Sequence, residues 1–136
     1  MNREARANGM VQREGVAPRR VLLVEDDVGI REMVMLALSD EGYEVLSAPD
    51  GETALALLEQ SPPDVILLDM KMPGMDGWAF AAQYTQRPEG APRVPVIVLT
   101  AAQDAERRAA EIGAAAYLPK PFDLEALLDV IATHTG

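Results

Sequence analysis

The 136-residue sequence has no cysteine, which excludes disulfides, thiolate metal sites and thiol nucleophiles. Its one histidine, His134, has no acid or second histidine at ligand spacing and is expected to be a solvated residue of the C-terminal tail. No stretch reaches the ~18 consecutive apolar residues of a membrane span. The opening MNREARANGMVQREG also lacks the apolar core of a secretory signal. A soluble, cytoplasmic chain with no membrane contact is the expectation. Nor is there a glycine-rich nucleotide loop after the first apolar run, where Glu25-Asp26-Asp27 would repel phosphate unless a cation intervened.

What is present is an ordinary hydrophobic complement, 49%, enough at this length for one packed core and no second folded domain. Charge is uneven. Arg3, Arg6, Arg13, Arg19 and Arg20 outweigh Glu4 and Glu14, while the remaining residues carry most of a net charge of −10 as excess acid. Residues 1–18 are therefore expected to be a flexible basic arm and residues 19–136 the folded domain. A body so acidic has no basic face for direct nucleic-acid binding.

Along that domain, short apolar runs alternate with helical patterns. RRVLLVE is too continuously apolar for a half-exposed strand and reads as one buried on both faces, the mark of a parallel sheet. Val28 to Asp40 repeats apolar residues at helical spacing and stops before Gly42. YEVLSA, DVILLD, VPVIVLT and AAYLP supply further strands, separated by ETALALLEQ, a helix from about Trp78 to Gln86, an alanine-rich helix from Asp104 to Ile112, and a last helix along Leu124, Leu127, Leu128 and Ile131. Strict alternation predicts a doubly wound α/β sheet, with strand order 2-1-3-4-5.

Open parallel sheets react at the carboxyl ends of their strands. There strand one ends in Glu25-Asp26-Asp27, strand three in Asp69, strand four in Thr100, and Lys120 follows strand five. Taken singly, Asp69 is a strand-end turn residue, the acidic triplet a helix cap, Thr100 a β-former and Lys120 a surface lysine. Together they surround one crevice. Strands lie ~4.8 Å apart, so Asp26 and Asp69 on neighbouring strands bring carboxylates close enough to raise a pKa or to recruit a cation. Oxygen ligands alone favour a hard ion such as Mg²⁺, with Mn²⁺ possible. With Lys120 and Thr100 added, the set suits the charge of a phosphoryl group in transfer.

VLLVEDD, LLDMKMPGMDG, VIVLTA and YLPKPF, in that order, resemble the receiver domain of bacterial two-component response regulators, in the single-domain, chemotaxis-regulator-like form. The likeness runs over roughly residues 19–133. It implies a flavodoxin-like (βα)5 fold and a phosphorylation-controlled switch rather than an enzyme. Asp69 would accept a phosphoryl group from a phosphohistidine of a histidine kinase or histidine phosphotransfer protein. Asp26 and Asp69 would bind Mg²⁺ with the backbone carbonyl of Lys71, Glu25 would act mainly through a metal-bound water, and Asp27 would be a capping acid. Lys120 would pair with Asp69 and then with the phosphoryl group, before a cis Lys120-Pro121 bond. Thr100 would swing to the phosphate and Tyr117 would turn inward behind it, altering the face of helix four, strand five and helix five for an unidentified downstream protein.

The resemblance also places Lys71 and Ala102 beside the path of a hydrolytic water. Ala115-Ala116 replace acids that help some receivers dimerise, so a monomer or a weak phosphorylation-dependent dimer is expected. Other classes remain. The chain is either a stand-alone switch or a receiver fragment of a larger regulator or hybrid kinase. An Asp-nucleophile phosphatase would carry a second Asp two residues after the nucleophile, where this chain has Lys71. A binding module that had lost the chemistry would lack one of the acids or the lysine.

Overall fold

The computed structural model describes residues 18–91 and 93–135. The proposed basic arm, apart from Pro18, lies outside the described residues. Strand β1 (Arg20–Val24) leads to helix α1 (Val28–Asp40), and β2 (Glu44–Ala48) to α2 (Gly51–Gln60). Then come β3 (Val65–Asp69), α3 (Gly77–Thr85), β4 (Val96–Ala101), α4 (Ala105–Ile112), β5 (Ala116–Lys120) and α5 (Leu124–Thr135). All neighbouring strands pair in parallel, in the order β2-β1-β3-β4-β5. The predicted doubly wound sheet is therefore the observed architecture.

Period-two alternation divides the core into two layers. Leu22 and Val24 of β1, with Ile66 and Leu68 of β3 and Val98 of β4, face Ala54 and Leu58 of α2, Phe80 and Tyr84 of α3, and Ala109 of α4. Val21, Leu23, Val65, Leu67, Ile97 and Leu99 face Val34 and Leu38 of α1 and Leu127, Leu128 and Ile131 of α5. Every residue of β3 is buried. Each fully buried aliphatic side chain contributes about 1.5–3 kcal/mol relative to exposure, so the central strands are held from both sides. Asp69 is thereby held at the end of a strand buried throughout.

Element ends follow local chemistry. Asp27, Asp50 and Asp76 accept a hydrogen bond on their carboxylates from Ile30, Thr53 and Ala79 N–H, capping α1, α2 and α3. Gly42 takes φ 96° just past α1, a left-handed turn that a side chain would resist. Strand β4 begins later than its apolar run suggests, because Val94 N–H donates to the Tyr84 hydroxyl at 2.7 Å instead of joining the ladder. His134 is a correction to the tail expectation. It belongs to α5, is half-buried, and holds Nδ1 2.8 Å from the Val130 carbonyl, so the last turn of the helix claims it.

Candidate functional site

The strand ends meet in one cavity of about 670 Å³, whose lining includes Glu25, Asp26, Asp69, Lys71, Thr100 and Lys120. Register explains the convergence. Val24 pairs with Leu68 across β1 and β3, Asp69 with Leu99 across β3 and β4, and Thr100 with Pro119 across β4 and β5. The residue level with Asp69 is therefore Glu25, one position before the Asp26 that strand adjacency alone suggested. Glu25 is fully buried, whereas Asp26 is exposed at the rim.

The acidic turn after β1 is braced by its own backbone and by α1. Asp27 N–H donates to Glu25 Oε2 at 3.2 Å, and Arg31 Nη1 donates to the carbonyls of Glu25 at 2.9 Å and Asp26 at 3.4 Å. On the other side, Lys71 N–H donates to Asp69 Oδ1 at 3.1 Å. The loop beyond it is packed by methionine. Met70 and Met72 are buried, and a Cβ on Gly77 would meet the Met70 Cα at 2.7 Å, so only glycine lets α3 start this close to the strand.

Lys120 lies between the acids, its ammonium 2.8 Å from Glu25 Oε1 and 3.6 Å from Asp69 Oδ1. The shorter contact is an ion pair between the Lys120 ammonium and the buried Glu25 carboxylate. Burial, followed by the contact with Glu25 and its charge, pushes the Asp69 carboxyl up to about 7, against the pull of Lys71 N–H and Lys120. Burial works against the charge on Lys120, yet Glu25 and Asp69 hold its ammonium above the ordinary lysine value. The Lys120-Pro121 bond is cis. Thr100 is buried on β4, and Tyr117 on β5 is 41% exposed.

Carboxylate oxygens of Glu25, Asp26 and Asp69 all lie within 4.8 Å of one another. With all three carboxylates ionised beside one ammonium, two negative charges are in excess, which a divalent cation would neutralise. With only oxygen donors on offer, the set fits a hard ion of the Mg²⁺ kind.

Two contacts here were not foreseen from sequence. Arg31 is one; its spacing on α1 gave no sign that it turns back to the acidic carbonyls. The other is the Lys71 ammonium, 3.9 Å from Asp104 Oδ2.

The family model of the response regulator receiver domain matches residues 21–132. The chain is 42% identical over 113 residues to the response regulator MprA of Mycolicibacterium vanbaalenii, an alignment covering 82% of this chain and 48% of that protein. Among solved structures, it is similar to a putative response regulator from Chloroflexus aurantiacus (TM-score 0.79, 35% identity, 87% of this chain and 98% of that one). It is also similar to the chemotaxis protein CheY4 of Vibrio cholerae (TM-score 0.73, 34% identity, 87% and 99%). This chain belongs to the response regulator receiver domain family. It spans about half the length of the curated relatives it matches.

Proposed function

We propose that the protein is a phosphorylation-controlled signalling switch of a two-component phosphorelay, with Asp69 as its phospho-acceptor. The observation that carries this reading is the Asp69 carboxylate in the cavity, with carboxylate oxygens of Glu25 and Asp26 within 4.8 Å and the Lys120 ammonium at 3.6 Å. An unprotonated Asp69 oxygen attacks the phosphorus of a phosphohistidine. The phosphorus–nitrogen bond breaks, and the imidazole leaves with the electron pair.

Glu25, Asp26, Asp69 and the backbone carbonyl of Lys71 would hold a Mg²⁺, which supplies positive charge to the phosphoryl oxygens when bound. Lys120 offers a second positive charge, already drawn to the site by both acids. Thr100 contributes a hydroxyl donor. Gathering those donors, the phosphoryl group favours the arrangement in which Thr100 moves to it and Tyr117 turns in from its exposed position, shifting an existing equilibrium. The altered α4–β5–α5 face then regulates a downstream protein.

The donor is a histidine kinase or histidine phosphotransfer protein, and the setting is cytoplasmic; no helix among the described residues is long and apolar enough to cross a membrane. A receiver forming part of a larger regulator is a second reading, favoured by the half-length match to curated relatives. With Lys71 where a phosphatase needs its acid, the protein turns over only its own phosphoryl group.

Incubated with Mg²⁺ and a small acyl phosphate, the protein should gain one phosphoryl group by intact mass, and Asp69→Asn none. Labelling that persists in Asp69→Asn would overturn the assignment.

A further inference from the structure

The three carboxylates of the cavity are not equally supported. Glu25 is fully buried, takes Asp27 N–H at 3.2 Å and pairs with Lys120 at 2.8 Å. Asp69 ends a strand buried throughout and takes Lys71 N–H at 3.1 Å. Asp26 has neither kind of support. It lies at the exposed rim, and among the described residues its carboxylate takes no hydrogen bond or ion pair. Yet its oxygen stands within 4.8 Å of oxygens of both other acids. Something other than its own side-chain contacts must aim it.

Arg31 is placed to do so. Helical side chains lean toward the helix N-terminus, and the Arg31 guanidinium folds back over the turn before α1. There Nη1 donates to the Glu25 carbonyl at 2.9 Å and to the Asp26 carbonyl at 3.4 Å. Those two carbonyls belong to the peptide planes on either side of the Asp26 Cα. Peptide units are rigid, so holding both planes sets the two backbone rotations of Asp26 and with them the direction of its Cα–Cβ bond. Helix stability does not account for the arginine. Asp27 already caps α1 through Ile30 N–H at 2.8 Å, as Asp50, Asp76 and Asp123 cap α2, α3 and α5. The first turn of α1 holds no acid, and a cation at that end opposes the helix macrodipole.

We propose that Arg31 is the positioning residue for Asp26 and, through it, sets the affinity of the site for a divalent cation. The inference rests on Glu25, Asp26 and Asp69 holding Mg²⁺. Two effects of the guanidinium compete. Its charge repels an arriving cation, while its hydrogen bonds spare that cation the cost of ordering Asp26. Water at the exposed rim weakens the repulsion, whereas the hydrogen bonds are charge-assisted, so positioning dominates.

The test is a titration of Mg²⁺ into wild type, Arg31→Gln and Asp27→Ala, read from amide chemical shifts. Alongside it, phosphoryl incorporation from a small acyl phosphate is followed by intact mass across Mg²⁺ concentration. Glutamine preserves the helix and removes the guanidinium. Arg31→Gln should weaken Mg²⁺ binding about tenfold, the lower end of what a residue orienting a metal ligand carries. Its incorporation rate should return to the wild-type value at saturating Mg²⁺. Asp27→Ala, which loosens the same helix start, should bind Mg²⁺ as wild type does. Unchanged or tighter binding in Arg31→Gln overturns the proposal, tighter binding being the outcome if charge alone matters. Equal weakening in Asp27→Ala also overturns it, assigning the effect to the helix start. So does a rate that stays low at saturating Mg²⁺, which would place Arg31 in phosphoryl transfer. A wild-type protein that binds no Mg²⁺ refutes the metal site itself, a separate outcome.

Discussion

Replacing Asp69 by asparagine should make the metal-free protein more stable at pH 8. The carboxyl is pushed from 3.8 to about 7, and at 1.36 kcal/mol per pKa unit this sets a ceiling of about 4 kcal/mol. A carboxyl raised in the folded state supports the fold while protonated. That contribution is full below the unfolded value and is lost as pH rises through the folded one, so stability declines between about pH 4 and 7. Asparagine keeps an oxygen for Lys71 N–H and removes the charge beside buried Glu25. It gives up the Lys120 contact at 3.6 Å while sparing the one to Glu25 at 2.8 Å, which leaves a net gain of about 1–3 kcal/mol. Urea unfolding should show the variant ahead at pH 8 and little different at pH 5. Adding Mg²⁺ should reverse the order, since ligand at a hundred times its dissociation constant stabilises by about 2.7 kcal/mol and the variant has lost a ligand. A variant less stable than wild type at pH 8 without metal, or a difference independent of pH, would refute the charge-crowding account.

Lys120→Met should act in the opposite sense, lowering metal-free stability at pH 8 by about 1–3 kcal/mol because Glu25 and Asp69 lose their shared cation; an unchanged urea midpoint would contradict it. Asp27→Ala and Asp26→Ala should separate structure from chemistry. Loss of the Asp27 cap on Ile30 should cost about 0.5–2 kcal/mol yet leave phosphoryl incorporation intact, whereas Asp26→Ala should depress incorporation and Mg²⁺ binding by isothermal calorimetry. Gly77→Ala should destabilise by about 1–3 kcal/mol, as the new methyl meets the Met70 backbone; a neutral urea titration would refute that packing.

The layered sheet was legible because β1 and β3 are buried on both faces, so their apolar runs carry strand identity without help from distant residues. The site was legible as a set for a related reason. Strand-end position is a one-dimensional property, and Glu25, Asp69, Thr100 and Lys120 each occupy such a position. Register is not one-dimensional. Strand adjacency suggested Asp26 beside Asp69, but the Val24–Leu68 pairing brings Glu25 level with it, buried, and leaves Asp26 at the rim. That difference gives the two acids separate electrostatic tasks: Glu25 crowds Asp69 and draws in Lys120, while Asp26 remains accessible to an arriving cation. Contacts made by helix side chains were less legible still. The Lys71–Asp104 pair joins two loops 33 residues apart, and Asp104 looks in the sequence like four other capping aspartates. Only the absence of its cap bond sets it apart. Asp104 has ion pairs in place of that bond, a local one to Arg107 at 3.0 Å and a distant one to Lys71 at 3.9 Å, and such an exchange is better sought in the hydrogen-bond pattern than in composition or spacing.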